Sequence, residues 1–164
     1  MGRGDYWAMG VLFLGAILVR LPSLWHEHEP YLFCDESIFS SDAARMLDGQ
    51  VGSNEFRAGG LNTYPVLLLW KTLGIAGISD PGSTVFLVSG RLLMTVVVGS
   101  MAVVLIYLAT RLVAVGRLPA LAAGAAFIAS PYVLATSRYW YPDHYLATFG
   151  ALALYSSLLI IVRG

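Results

Sequence analysis

Apolar residues along the chain gather into four long runs, separated by one extended polar stretch and two short connections. A helix needs roughly 20 mostly apolar residues to cross about 30 Å of hydrocarbon. The runs Tyr6 to Trp25, Val85 to Thr110, Leu118 to Ser137 and Tyr145 to Val162 meet that requirement. The first is the weakest, because Arg20 interrupts it and its uncharged part reaches only from Tyr6 to Val19. A cleaved signal peptide has a similar profile, but Asp5 stands where a positive flank belongs and no small-x-small cleavage site follows, so the run is read as a span. In the second run Arg91 lies one to two turns inside the leading end, within snorkelling reach of the interface. Pro119 opens the third at a position that needs no amide donor, whereas Pro131 should kink or unwind it near its far end. The small residues Ala122, Ala123, Gly124, Ala125 and Ala126 favour close approach by a neighbouring helix. The expected fold is an all-α integral membrane module over residues 1–164, with four transmembrane helices and a long first loop at about 26–83.

Within that loop the pattern changes to short amphipathic segments. Ser37 to Leu47 sets Ile38, Met46 and Leu47 among Ser41, Asp42 and Arg45, with Gly49 as a stop, which predicts a surface helix. Pro65 to Ile78 is more apolar but too short to cross, with Lys71 in its middle, and fits an interfacial or re-entrant helix. Gly59 and Gly60 before it, and Asp80, Pro81 and Gly82 after it, are turn chemistry.

Composition agrees with lipid as the solvent: 57% of residues are hydrophobic and 12% charged, with a mean hydropathy of +0.70. Ten basic residues balance ten acidic ones, so the basic footprint that nucleic acid requires is missing. Arg111 and Arg117 share a short connection with no acid, and Arg3 and Arg163 flank the ends, which assigns the termini to the cytoplasmic side and the long loop to the extracytoplasmic side. Arg45, Arg57 and Lys71 in the long loop weigh against that vote. The single cysteine, Cys34, excludes an intrachain disulfide and a multi-cysteine zinc site, and reads best as a small apolar residue.

The acids are distributed unevenly. Glu27, Glu29, Asp35, Glu36, Asp42, Asp48, Glu55 and Asp80 lie in the long loop, and Asp143 lies in the other connection assigned to the same side. Two carboxylate centres facing one cleft at a membrane surface suit general-base chemistry on a hydroxyl; the plain alternative is a solvated acidic loop. In Tyr31-Leu32-Phe33-Cys34-Asp35-Glu36-Ser37 the acid pair follows apolar residues, so partial desolvation and the neighbouring like charge favour a stronger base. Arg138-Tyr139-Trp140-Tyr141-Pro142-Asp143 surrounds one acid and one base with aromatics, which interfacial anchoring explains as well as sugar stacking does. His26-Glu27-His28-Glu29 has metal-ligand residue types, but i, i+2 ligands share a face only in extended chain and no distant third histidine completes the set, so a polar interface is the preferred reading. His144 either orients Asp143 or caps the last helix, with capping preferred.

Taken in order, Asp35-Glu36, Ala43-Ala44-Arg45-Met46-Leu47-Asp48-Gly49, Tyr64-Pro65, Gly90-Arg91-Leu92, Ser130-Pro131 and Ser137-Arg138 leading to Pro142-Asp143 resemble the opening of GT-C glycosyltransferases. The nearest branch is the protein O-mannosyltransferase and lipid A aminoarabinose transferase superfamily. The resemblance runs from about Tyr6 to Val162, and the ordered series carries it rather than any one piece. It implies an enzyme of the cell envelope that moves a sugar, with inversion, from a polyprenyl-phosphate donor to an acceptor at the extracytoplasmic face. It further implies Asp35 as catalytic base with Glu36 beside it, and Asp143 as the acid of the second loop. Arg91 and Arg138 fall at motif positions whose charge suits a lipid phosphate, structural pairing being the alternative, and Tyr64 opens the family's second juxtamembrane segment. No cofactor is called for, and a divalent metal is left open. Known members carry at least seven spans, so the expectation is an N-terminal module of a larger enzyme. The competing expectation is a noncatalytic membrane subunit that keeps the scaffold and binds partner subunits or lipid. A small transporter is the weakest reading, since the spans carry no acid.

Overall fold

The computed structural model describes residues 2–24, 45, 46, 49, 59–73, 88–136 and 143–164, and every element among them is helical. Helix α1, Arg3–Arg20, runs into a 3-10 turn at Leu21–Leu24. Helix α2 is Gly59–Thr72, α3 is Val88–Val113, α4 is Leu118–Ile128, α5 is Pro131–Thr136 and α6 is Asp143–Arg163. At 1.5 Å per residue the 26 residues of α3 extend about 39 Å.

Helix α3 is the centre of the bundle, packed against α1, α4 and α6. The core between α1, α3 and α4 is built from Ala8, Leu12, Ala16, Val103, Tyr107 and Ala120. Ala8, Leu12 and Ala16 recur every fourth position, so they form one stripe on α1, while Trp7, Val11, Leu14 and Leu18 stay exposed on its other faces. The small-residue run of α4 has the packing role expected of it at Gly124: a Cβ there would come within 2.8 Å of Leu12 Cδ1. Glycine is what lets α1 approach α4 at this level.

Two helices, Val88–Val113 and His144–Arg163, are long and apolar enough to cross a membrane. Helix α1 has comparable length but carries Arg3, Asp5 and Arg20, and α4 has only 11 residues. In the apolar stretch of α6 only 11% is buried. The core helix of a water-soluble protein would be mostly covered, so exposure on this scale fits a lipid surface better than water.

Several boundaries differ from the sequence expectation. The kink or unwinding expected near Pro131 goes as far as a full break: α4 stops at Ile128, Ala129 and Ser130 close a turn, and Pro131 starts the separate α5. The missing proline amide and the ring's clash with the preceding turn account for the break. Helix α3 continues three residues past Thr110, and the chain leaves it at Ala114 in extended conformation and turns at Gly116, φ +91°. Helix α2 begins at Gly59 rather than Pro65, so Gly59 and Gly60, expected as turn residues, lie in its first turn. Of the expected surface helix 37–47, Arg45 and Met46 are helical, and Gly49 has φ +83° with its N–H on the Met46 carbonyl at 3.2 Å. The rest of that segment, and the turn at Asp80 to Gly82, lie outside the described residues.

One feature of α3 has no counterpart in the apolar pattern. Residues Arg91–Val98 form a π-helix, closed by the Gly99 N–H on the Met94 carbonyl five residues back. Such wider turns are rare and cluster at functional sites. Two side chains brace this stretch: Trp70 of α2 donates to Ser89 Oγ at 2.7 Å, and Thr148 of α6 donates to the Val98 carbonyl at 2.8 Å.

Candidate functional site

The end of α1 and the start of α6 meet at Gly99, where the π-helix passes into α-helix. Arg20 is 1% exposed. Instead of reaching outward past the end of α1, its side chain folds back one turn and donates from Nη1 to the Ala16 carbonyl at 3.1 Å. Its Nε is buried and has no hydrogen-bond partner among the described residues. His144 is 4% exposed, and its Nε2 lies 3.0 Å from the Thr136 carbonyl, which requires the proton on Nε2. The ring thus ties the start of α6 to the end of α5 across the segment that holds Arg138. The approach at Gly99 is close: a Cβ there would lie 3.3 Å from His144 Nδ1 and 3.4 Å from Arg20 Nε.

Beside these groups lies a cavity of about 110 Å³. Its lining is largely apolar, with Phe127, Tyr132, Val133 and Ala147 around it and Arg20, Gly99, Thr136 and His144 alongside. Of its lining residues Tyr132 is exposed. Among the described residues no carboxylate pairs with this guanidinium, and a buried charge without such a partner is unfavourable.

The opposite end of the bundle is held by a different charge cluster. Asp5, 1% exposed, receives the Tyr107 hydroxyl at 2.8 Å, Arg111 Nε at 3.1 Å and Arg117 Nε at 3.2 Å on Oδ1, and the Gly2 N–H at 2.8 Å on Oδ2. The Gly2 amide, then the Tyr107 hydroxyl and then Arg111 hold the Asp5 carboxyl well below the usual carboxylate range, against the opposing effect of burial. A side chain at Gly4 would require the Arg117 guanidinium to shift. One acid therefore gathers the head of α1, the tail of α3 and the turn into α4.

The residues singled out from the sequence are distributed as follows. Asp35, Glu36 and Arg138 lie outside the described residues, as do Cys34 and the His26 to Glu29 cluster. Asp143 opens α6, and its backbone alone is described. Arg91 heads the π-helix, is 1% exposed and is already engaged by a neighbour. Tyr64 is exposed on α2, away from the core residues Val66 and Trp70. Two groups went unrecognised in the sequence. In the sequence Arg20 is an interruption of the first run, and Asp5 an argument against a leader. The signals were present: an apolar run that tolerates arginine, and a first acid set against a connection bearing Arg111 and Arg117 alone. Among the described residues no three His, Cys, Asp or Glu side chains gather to hold a metal ion.

No protein family description matches the chain, and neither the curated proteins nor the solved structures contain a detectable relative.

Proposed function

We propose that this chain is the N-terminal, membrane-embedded module of an inverting glycosyltransferase of GT-C type that uses a polyprenyl-phosphate-linked sugar at the extracytoplasmic face. In this reading α1, α3, the α4–α5 pair and α6 are four crossings, the termini face the cytoplasm, and Asp35 serves as general base with Glu36 and Asp143 beside it. The observation that carries the reading is the meeting of the α1 end with the α6 start at Gly99. The chain leaves that end of the bundle toward Asp35-Glu36 and returns to it at Asp143. The ordered motifs of the sequence add support, as does the lipid-like exposure of α6.

A carboxylate near the bilayer surface removes the acceptor hydroxyl proton while the phosphate of the donor leaves, and a second carboxylate holds the acceptor in line. Arg91, Arg138 and Tyr64 are proposed on the donor side. The test is sugar transfer from a polyprenyl-phosphate donor by the full-length or reconstituted enzyme. Asp35→Asn abolishes transfer and leaves the helical content intact; undiminished transfer by that variant removes Asp35 from the base role.

A further inference from the structure

We infer that Arg91–Val98 is a register switch, in which α3 exchanges its π turns for α turns and the Thr148 hydroxyl changes acceptor with it. Wider turns of this kind are mostly single interruptions of an α-helix, whereas this one runs for eight residues. The α ladder is the default winding, so a π stretch of that length depends on what holds it from outside. Its holds come from two different helices, one at each end: Trp70 of α2 on Ser89, and Thr148 of α6 on the Val98 carbonyl. The boundary residues suit either winding. Gly90 and Gly99 both have right-handed helical dihedrals, φ −62° and ψ −49° at the first, φ −60° and ψ −31° at the second.

Thr148 has two acceptors. Its hydroxyl lies 2.8 Å from the Val98 carbonyl and 2.9 Å from the carbonyl of His144, one turn back in α6. A hydroxyl carries one proton, so it donates fully to one of these at a time. Donation to Val98 holds the π form. Donation to His144 releases α3 and keeps the hydroxyl satisfied within α6. In the α form the Gly99 N–H moves from the Met94 carbonyl to that of Thr95, one residue closer. An α turn holds about 3.6 residues and a π turn nearly one more, so over eight residues the exchange rotates the leading end of α3 by roughly 0.4 of a turn relative to the part beyond Gly99. Arg91 heads that end and is 1% exposed in the π form. The rotation takes it out of its present burial and pulls on the hydrogen bond between Trp70 and Ser89. Movement of α2 is thereby coupled to the first turn of α6. If the chain transfers sugar, the α form is the one that presents Arg91 to the donor; the switch itself is independent of that reading.

The test uses the full chain in lipid nanodiscs, spin-labelled through Leu92→Cys and Met101→Cys in a Cys34→Ser background. Both labelled positions are exposed, and they stand on either side of Gly99. Pulsed electron paramagnetic resonance reads the distance between the labels, which differs between the two windings. With Thr148 intact the π distance should dominate. Thr148→Val removes the hydroxyl hydrogen bond, which at the average for membrane helices corresponds to about threefold in population, so the ratio of α to π form should rise about threefold. Thr148→Ser keeps the hydroxyl and should retain the original ratio. Trp70→Phe withdraws the hold at the other end and should shift the ratio in the same direction. This variant decides the matter if Thr148→Val fails to fold. An equal shift in Thr148→Ser and Thr148→Val, or a distance distribution unchanged in both Thr148→Val and Trp70→Phe, overturns the switch. Loss of transfer in Asp35→Asn bears on the catalytic reading alone and leaves these outcomes untouched.

Discussion

Leu12→Ala measures which solvent surrounds α1. Leu12 is 6% exposed, in the core stripe, and its Cδ1 occupies the space above Gly124. In a water-soluble core a Leu→Ala change costs about 2.7–5.0 kcal/mol. Three carbons are removed, and at about 0.8 kcal/mol each their transfer from water accounts for about 2.4 kcal/mol. In a bilayer the dissociated helix exposes leucine to hydrocarbon, so that transfer contribution vanishes. What remains is lost packing, about 0.3–2.6 kcal/mol. The assay is reversible unfolding in bicelles, by steric trapping or by SDS titration. Gly124→Leu, which overfills the same contact, should cost about 1–3 kcal/mol. The double variant transfers the side chain from one helix to the other and should recover about 0.5–3 kcal/mol relative to additivity. A Leu12→Ala loss well above about 3 kcal/mol would mean that α1 unfolds into water and would refute lipid as its surroundings. Additive behaviour of the pair would refute the α1–α4 contact itself.

Acid titration of Asp5 has a definite sign. Its folded pKa lies below the unfolded value of about 3.9, so the stability it contributes is complete above that pH and declines as pH falls through the folded pKa. Unfolding midpoints should be flat from neutrality to about pH 5 and fall below about pH 4, and an identical fall in Asp5→Asn would show that Asp5 is not the group responsible. Trp70→Phe removes the donor to Ser89 and should lower stability by about 0.5–1.5 kcal/mol, measured as a shift in unfolding midpoint. Thr148→Val withdraws the hydroxyl from the Val98 carbonyl and should cost about 0.6 kcal/mol, the average for hydrogen bonds between membrane helices. Amide exchange around Met94 to Gly99 should rise in the same variant, and unchanged exchange would show that α6 does not brace the π-helix.

Helical class, the break at Pro131, the positive φ at Gly49 and the two most apolar helices follow from the sequence alone, because each depends on a local cause. Apolar run length, the missing proline amide and glycine's tolerance of positive φ act within a few residues. The start of α2 is not legible locally, because Gly59 and Gly60 have a weak preference for helix that residue type alone does not resolve. The relation between Asp5 and Tyr107, 102 positions apart, could not be read locally. Nor could the inward fold of Arg20 beside Gly99 and His144. A charged residue in an apolar run has two resolutions, extension to the interface or burial against a partner helix. Side-chain direction and helix approach choose between them, and both are set when α1, α3 and α6 pack together.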